Sequence, residues 1–341
     1  GNATPREKFD KWAETVPAAI GNPLYHWTQL ELARYFGIYD LLSPGTAAKI
    51  YEKASAMLRT KDFSIRSLLR KMKVETVCTT DDPADSLEYH QKLRGDPEIR
   101  MLPTFRPDNA VKTDDPGKFR EYIARLGKAS EITIDSFGNL IKALDGRHEF
   151  FHMMGGRLSD HGLDRFYYSP CAEDEADRIL RLLLEGEGLS ADDTEKYRSA
   201  VMLELCRMNQ KRGWTQQFHV GAMRNNNSRM FRLMGPDTGW DSIGVPQDAL
   251  KMSRFLSSLD DTDQLAKTIL YNLNPADNEL MITMAGNFND GSRPVKVQYG
   301  AAWWFLDQKS GMEKHLKDLS ALGLLRRFVG MVTDSRSFLS Y

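Results

Sequence analysis

Cysteine is scarce in this 341-residue sequence. The three cysteines, Cys78, Cys171 and Cys206, are odd in number and form no C-x-x-C pair, so neither a disulfide framework nor a cysteine zinc cluster is indicated. This usage agrees with a reducing cytoplasm. A charge of one sign is lacking as well. The 46 basic and 47 acidic residues give a formal net charge of -1, which provides no general attraction to nucleic acid or a membrane surface.

Long apolar runs and nucleotide-binding loops are also missing. No run approaches the roughly 20 apolar residues of a membrane-spanning helix, and no signal peptide is recognisable. No glycine-rich phosphate loop of the GxGxxG or Walker type follows a predicted strand, and no Gly-x-Ser-x-Gly elbow is present. The chain starts with GNATPREKF rather than an initiator methionine, so we expect an N-terminal piece before it. The hydrophobic content of 41% is enough for a large core.

What the sequence does contain is an alternation of helical and strand-like segments. Strand-like runs are predicted at 74–80, 101–105, 148–154, 214–220, 268–272, 295–300 and 328–332. This alternation indicates a parallel sheet covered by helices, and polar residues after each strand are typical of TIM-type barrels. We therefore predict an α/β fold, a (β/α)8 barrel with extra helical insertions whose first strand is missing from this chain. An open doubly wound sheet is the alternative fold.

The predicted domain organisation is one barrel with decorations. A helical region at 1–70 leads into the barrel, and strands two to eight of the barrel occupy 71–341. A helical insertion is predicted at about 173–212. No linker, low-complexity tract or repeat divides the chain.

The last strand-like run ends in a chemically suggestive sequence. Its apolar residues stop at Thr333, Asp334 follows directly, and Arg336 lies two residues further on. A carboxylate just past the end of a buried parallel strand is where barrel enzymes carry catalytic groups, and Arg336 would place an anion clamp beside it. The simpler interpretation is an aspartate that caps the next helix, with a surface arginine nearby.

His219 lies at the end of the fourth predicted strand. An imidazole on a rigid strand end suits zinc, iron or manganese, and Asp334 is its natural partner ligand. The alternative is a half-buried histidine bonded to a backbone carbonyl. Catalytic zinc typically has three protein ligands, so these two residues alone are too few for a metal site.

Four arginines are predicted to follow strands: Arg106, Arg157, Arg224 and Arg336. Arginine offers bidentate hydrogen bonds to a carboxylate and keeps its proton, so convergence of several at one mouth would suit a carboxylated or phosphorylated substrate. For any one of them, a solvated loop arginine paired with a nearby aspartate is the simpler interpretation.

Two further positions are open to both a functional and a structural interpretation. His161 could bond a substrate hydroxyl, or it could be a loop histidine held by Asp160. Trp303 and Trp304 are adjacent, so in a strand one would face the core and its neighbour the other side. Tryptophan beside a polar pocket is common in sugar sites, yet it is also a large core residue.

Longer strings along almost the whole chain carry a more specific signal. The strings are NPLYHWTQLEL (22–32), VCTTDDPADSLEYH (77–90), LPTFRPD (102–108), FFHMMGGRLSDHGLD (150–164), FHVGAMRNNNSRMF (218–231), GPDTGWDSIG (235–244), KTILYNLNPADN (267–278), WWFLDQKSGM (303–312) and FVGMVTDSRSFLSY (328–341). In these strings the sequence closely resembles the uronate isomerase (glucuronate isomerase) family of the amidohydrolase superfamily.

The resemblance implies a (β/α)8 barrel with one divalent metal, commonly Zn²⁺, with Mn²⁺ as the other candidate. It implies a metal-assisted aldose–ketose isomerase of uronate catabolism that acts through a cis-enediol. The reactions would interconvert D-glucuronate with D-fructuronate and D-galacturonate with D-tagaturonate. The expected partner is a small uronic acid, with no nucleic acid or membrane. A cytoplasmic homo-oligomer is expected.

The resemblance also implies roles for particular residues. Asp334 matches the strand-eight aspartate that is metal ligand and base, Arg336 matches the clamp on the C6 carboxylate, and His219 matches a strand-five histidine beside the metal. The family's His-x-His metal pair and its proton-shuttling tyrosine are not in this sequence. Contacts to the substrate's hydroxyls and carboxylate are expected from Arg106, His161, Arg157, Arg224 and Trp304.

Two alternatives to this function stay open on the sequence. One is a metal-dependent hydrolase of the amidohydrolase type, in which Asp334 would activate a water molecule. The other is an inactive fragment or sugar-binding scaffold, because the histidine pair is absent.

Overall fold

The computed structural model describes residues 3–331 and 337–339. Its residues divide into two compact units. The first takes in the described residues of Gly1–Val77, Gly95–Arg100 and Val332–Tyr341, and the second Cys78–Arg94 and Met101–Met331. The four longer helices of the first unit are α1 (Pro5–Thr15), α2 (Pro23–Phe36), α3 (Ala47–Leu58) and α4 (Ile65–Lys71), with 3₁₀ turns at Val16–Ala19 and Lys61–Phe63.

Local capping explains where α1 and α2 start. Thr4 and Glu7 form a capping box around α1, which has Pro5 as its first residue. The side chain of Asn22 accepts the Leu24 amide at the start of α2. Apolar side chains of α1, α2, α3 and the segments between them pack into a core of Ala13, Val16, Leu32, Phe36, Ile38, Leu42, Ala47 and Ile50.

A six-stranded sheet is the central feature of the rest of the chain. Its order is β1-β2-β3-β4-β7-β8, and pairing from β2 through β8 is parallel. A separate antiparallel pair joins β5 and β6. The strands are β1 (Thr76–Asp81), β2 (Arg100–Phe105), β3 (Leu158–Leu163), β4 (Thr215–Val220), β5 (Ala222–Met223), β6 (Ser242–Ile243), β7 (Lys267–Asn272) and β8 (Val297–Tyr299).

Helices connect these strands. They are α5 (Glu88–Lys92), α6 (Asp108–Val111), α7 (Pro116–Ser130), α8 (Phe137–Met153), α9 (Glu173–Glu185), α10 (Ala191–Lys211), α11 (Ser228–Met234), α12 (Ala249–Asp260), α13 (Asn278–Asn287) and α14 (Lys309–Leu322). Shorter 3₁₀ turns lie at Pro275–Asp277, Trp304–Leu306 and Leu325–Arg327. The predicted α/β class, with parallel strands separated by helices as in a TIM-type barrel, is confirmed. None of the described helices is both long and apolar enough to cross a membrane.

The strand register divides the sheet into two chemically different faces. Pairing aligns Asp160 with Gln217, Gly162 with His219, and His219 with Tyr271. Because successive side chains point to opposite faces of a strand, these residues share one face, which we call the inner face. The opposite face, the helix face, carries the residues between them. Among these, Phe218 and Leu270 are fully buried in the main core with the apolar residues of the helices.

The predicted strand at 148–154 is wrong. These residues end helix α8, whose buried side chains include Leu140, Leu144, His148 and Phe151. Those intervals follow the 3.6-residue helical period, which a short apolar run does not reveal by itself. The strand in this part of the chain is β3, Leu158–Leu163, which is not among the predicted strands.

The predicted last strand is not formed where the structure describes it. Phe328–Met331 have no strand assignment, and Val332 lies outside the described residues. Phe328 packs against an inner-face cluster that includes Ile269 and Tyr271. The predicted domain limits near residue 70 and at about 173–212 stay predictions; α4 ends at Lys71, and α9 and α10 lie between β3 and β4.

Truncation of Leu270 to alanine should destabilise the second unit by about 2–5 kcal/mol, because Leu270 is fully buried at the centre of β7. The same change at Leu233, which is 71% exposed, should alter the free energy of unfolding by about 0.5 kcal/mol or less. Urea denaturation followed by circular dichroism measures both. Equal losses in the two variants would contradict the described core.

Candidate functional site

A buried carboxylate–imidazole pair lies at the centre of the inner face. Asp160 on β3 accepts a hydrogen bond from His219 on β4, with 2.6 Å between Oδ1 and Nδ1. The other oxygen of Asp160, Oδ2, lies 3.2 Å from Nη1 of Arg106, which follows β2. Three neighbouring strands therefore bring one acid, one histidine and one guanidinium together.

The charge state of Asp160 follows from these partners. Burial by itself would raise the pKa of this carboxyl, but the His219 ring and the Arg106 guanidinium outweigh it and lower the pKa below its ordinary value. Asp160 is thus an ionised, nearly buried carboxylate with a partner on each oxygen. A buried charge of this kind is tolerated only because it is paired.

Arg106 is held by two carboxylates. Its Nε donates to Asp108 Oδ2 at 2.9 Å, and the same Asp108 accepts the Gly162 amide at 3.2 Å. A Cβ at position 162 would lie 2.5 Å from Arg106 Nη2 and 3.1 Å from Asp108 Oδ2. Glycine at 162 therefore allows the guanidinium to lie close to β3. Because two anions already surround it, much of the positive charge of Arg106 is neutralised within the protein.

Aromatic side chains fix the plane of the His219 ring. The Tyr271 ring on β7 stacks on it with centroids 4.3 Å apart and planes 3° from parallel. Trp303 meets the same ring edge-on at 4.8 Å. A Cβ at Gly300 would overlap the Tyr271 ring, so this stack needs a glycine after β8. Burial, with a contribution from Asp160, raises the pKa of the Tyr271 phenol well above its ordinary value, and the hydroxyl donates to Gln217 Oε1 at 2.8 Å.

His161 does not join this group. It lies on the helix face of β3, fully buried, where its ring stacks on Phe218 at 5.2 Å and its Nε2 is 3.1 Å from Ser159 Oγ. Burial lowers the pKa of His161 to about 4, so the ring is neutral near pH 7. Strand alternation places His161 on the opposite face from Asp160 and His219. The contact expected between His161 and a substrate hydroxyl stays a prediction.

Arg157 lies at the other end of its strand. It precedes β3 rather than following a strand, and its Nη1 donates to the backbone oxygens of His152 and Gly156 at 3.0 and 2.6 Å. The expectation that Arg157 follows a strand is wrong, because β3 begins at Leu158. The substrate contact expected of Arg157 stays a prediction. The shifted position of β3 places this arginine at the amino end of the sheet.

Arg224 and Trp304 contact each other. The Arg224 guanidinium lies 5.0 Å from the centre of the Trp304 ring, and its Nη1 is 3.3 Å from Asp237 and 3.5 Å from Asp241. Trp304 opens a 3₁₀ turn with a φ of 51°, a conformation that is rare for a bulky residue. Trp303, not Trp304, contacts His219. The substrate contacts expected of Arg224 and Trp304 stay predictions.

Asp334 and Arg336, the predicted base and carboxylate clamp, lie outside the described residues. Their roles therefore stay predictions.

The structure adds Asp160, Asp108 and Tyr271 to the candidate site. The sequence offered one signal for Asp160, because it stands two residues before Gly162 and would share its face once LSDHGL is recognised as a strand. Nothing local marks Tyr271, since its role depends on the register of β4 and β7.

The donors present fit one ligand position of a divalent metal site. A metal-bound histidine typically donates its second ring N–H to a carboxylate, as His219 donates to Asp160. Its Nε2 has no hydrogen-bond partner among the described residues. Across 3–331 and 337–339, no three His, Cys, Asp or Glu side chains cluster closely enough to hold a metal ion. Asp334, the other expected ligand, is not in those ranges.

Comparison with known proteins identifies the family. A family model described as glucuronate isomerase matches residues 1–341. The chain belongs to the glucuronate isomerase family. A uronate isomerase of Bacteroides fragilis is 54% identical to it over 336 residues, which is 98% of this chain and 72% of that protein. A uronate isomerase of Phocaeicola vulgatus is 52% identical over 341 residues, 100% of this chain and 73% of that protein.

Solved glucuronate isomerase structures agree with the fold. The crystal structure of the Thermotoga maritima uronate isomerase superposes with a TM-score of 0.92 at 35% identity, covering 100% of this chain and 73% of that one. The Caulobacter crescentus glucuronate isomerase has a TM-score of 0.90 at 24% identity, with 99% and 69% covered, and supports the fold alone. The predicted family is confirmed, and the hydrolase and fragment alternatives are not favoured.

Replacement of Gly162 by alanine should lower kcat/KM on D-glucuronate by about 10²-fold, because the added methyl displaces the Arg106 guanidinium and groups misplaced by about 1 Å can cost this much. Steady-state kinetics measures the loss. Gly146→Ala is the matched control, since position 146 is an exposed helical site with open space around it. An unimpaired Gly162→Ala enzyme would show that the position of Arg106 is immaterial to the reaction.

Proposed function

We propose that this chain interconverts D-glucuronate with D-fructuronate, and D-galacturonate with D-tagaturonate, by a metal-assisted proton transfer through a cis-enediol. The observation that carries the proposal is the match to the glucuronate isomerase family over residues 1–341. The inner-face group of Asp160, His219 and Arg106 supports it, because an acidic, a basic and an imidazole side chain meet at one point of the sheet.

The chemistry requires a base and a stabilised anion. A base removes the proton from C2, the C–H electrons form the C1–C2 double bond, and the carbonyl oxygen at C1 takes up a proton. The hydroxyl at C2 then loses its proton, the carbonyl re-forms at C2, and C1 receives a proton. No net oxidation occurs. The C2 proton is weakly acidic, so the enzyme must hold the base within hydrogen-bond reach and stabilise the enediolate.

Asp334 is the proposed base and proton carrier, and Arg336 is the proposed clamp on the C6 carboxylate. Both proposals rest on the sequence FVGMVTDSRSFLSY at 328–341. A guanidinium suits the second task, because it can bond both oxygens of a carboxylate.

The described residues would position the sugar acid around this pair. His219 would be a metal ligand through Nε2, with Asp334 as another. A divalent metal bound there, Zn²⁺ or Mn²⁺, would supply positive charge to the carboxylate and a neighbouring hydroxyl of the substrate. Arg106 is paired with Asp108 and Asp160. We therefore propose that it orders the site, and that only part of its positive charge is available to attract the substrate. Arg224 and Trp304 are proposed as contacts at the edge of the site.

The cellular location, the oligomeric state and the partner of the enzyme are also proposals. We place the enzyme in the cytoplasm as a homo-oligomer whose partner is a small uronic acid. The balanced charge and the scarcity of cysteine support this setting.

Asp334→Asn should reduce turnover of D-glucuronate by about 10²–10⁴-fold while leaving the fold intact, because loss of a well-placed general base has this effect. Turnover is measured by the appearance of the ketose, and the fold by circular dichroism. Asp261→Asn, the same change at an exposed position after α12, should retain full activity. Wild-type turnover by Asp334→Asn would remove Asp334 from the mechanism.

In heavy water the active enzyme should also introduce deuterium at C1 or C2; hydrolysis would introduce none.

Removal of divalent metal by a chelator should abolish isomerisation, and added Zn²⁺ or Mn²⁺ should restore it. The reason is that the imidazole of His219 and the carboxylate of Asp334 are the proposed ligands. Metal content by mass spectrometry, measured together with activity on glucuronate and galacturonate, tests this. Full activity in protein shown to be metal-free would rule out the metal-assisted step.

A further inference from the structure

The geometry of the Asp160–His219 pair determines which nitrogen of the imidazole ring faces the carboxylate. The two residues lie on adjacent parallel strands but are not register partners, since Asp160 pairs with Gln217 and His219 with Gly162. Their side chains therefore meet diagonally across the inner face. The 2.6 Å contact uses Nδ1 of the ring, the nitrogen nearer the backbone.

The second oxygen of Asp160 explains why the carboxylate stays in place. Oδ2 is 3.2 Å from the Arg106 guanidinium, which is itself held by Asp108 at 2.9 Å. Arginine keeps its proton, so it can only donate to Asp160. The ionised carboxylate in turn can only accept, so the hydrogen in its contact with His219 belongs to Nδ1. A neutral His219 is then left with an unprotonated Nε2.

The surrounding rings prevent the imidazole from turning to another arrangement. Tyr271 covers one side of the ring at 4.3 Å and Trp303 meets it at 4.8 Å. A flip of the ring would break the bond to Asp160 and leave a buried charge short of a partner. Both the tautomer and the direction of the ring are therefore set by neighbours rather than by the ligand.

We propose that Asp160 is a positioning residue that holds His219 as the Nδ1–H tautomer, so that the Nε2 lone pair is ready for a divalent cation before substrate binds. The proposal deepens the proposed isomerase function. It rests on that function only in giving the cation a use in catalysis, because the tautomer of His219 does not depend on turnover. A carboxylate behind a metal-binding histidine typically contributes 10–100-fold to metal affinity or activity. His161, one residue from Asp160, has no such role, because its Nε2 is near Ser159 and its Nδ1 is buried without a partner among the described residues.

The test uses the whole chain labelled with ¹⁵N-histidine, without metal and at mildly alkaline pH. Protonated and unprotonated nitrogens of a neutral imidazole have well separated ¹⁵N shifts, so long-range ¹H–¹⁵N spectra report the tautomer of each of the seven histidines. His219→Gln assigns the signal of His219. In the wild type we expect Nδ1 protonated. In Asp160→Asn, whose amide can donate to Nδ1, we expect the Nε2–H tautomer to gain population, as when a triad aspartate is replaced by asparagine.

Asp261→Asn is the matched control. It makes the same change at an exposed position after α12, away from the residues that contact His219, so the tautomer of His219 should stay Nδ1–H. Asp160→Glu keeps the charge and should restore part of the Nδ1–H population. A second readout is the affinity for Zn²⁺ alone, from competition with a coloured chelator. It should fall about 10–100-fold in Asp160→Asn and less in Asp160→Glu.

These readouts separate the positioning role from the proposed function, because neither needs turnover. An Nε2–H tautomer in the wild type overturns the positioning role, even if Asp160→Asn fails to fold. An unchanged tautomer and zinc affinity in a folded Asp160→Asn protein overturn it as well. If the tautomer and zinc affinity respond as expected while the wild type isomerises neither uronate, the positioning role stands and the proposed function fails.

Discussion

The hydrogen bond between His219 and Asp160 is the interaction around which the inner face is arranged. It connects two strands that are already paired through their backbones, and it places a negative charge in a nearly buried position. Such a charge is costly unless both oxygens have partners. Arg106 supplies the second partner, and Asp108 and Gly162 hold Arg106 where it can do so. Removing one member would leave another buried group unsatisfied.

The same strands serve stability and chemistry on opposite faces. On the helix face, Phe218 packs with Phe166 and Phe255, and Leu270 is fully buried in the same core. On the inner face, one residue further along β4, the His219 side chain is 15% exposed and contacts the rings of Tyr271 and Trp303. The two-residue period of a strand makes this separation possible, because a rigid apolar layer can support a polar group without mixing with it.

Each predicted arginine that the structure describes is already engaged within the protein. Arg106 has carboxylate partners, Arg224 has two aspartates and a tryptophan, and Arg157 bonds backbone oxygens. A substrate carboxylate that approached Arg106 or Arg224 would compete with these acids for the guanidinium. This makes a clamp from elsewhere in the chain the more effective anion partner, and Arg336 is the proposed one.

The sequence alone predicted a large part of this protein. The alternation of strands and helices was readable from apolar periodicity, and the long matching strings identified the family because they cover almost the whole chain. The position of His219 near the end of a strand was also predicted correctly, since its run of strand residues has a clear boundary. These features are local, and a local pattern is what a sequence records directly.

Tertiary structure decided which residues meet. The apolar run at 148–154 completed a helix because its neighbours Leu140 and Leu144 continue the same buried stripe. β3 formed from polar residues because it pairs with β4 along its whole length, from Leu158 to Leu163. That one shift moved Arg157 to the far end of the sheet and His161 to the opposite face. The stack of Tyr271 on His219 depends on strand register and on the space left by Gly300. Contacts between residues distant in sequence are set by packing, so they cannot be predicted from local sequence patterns.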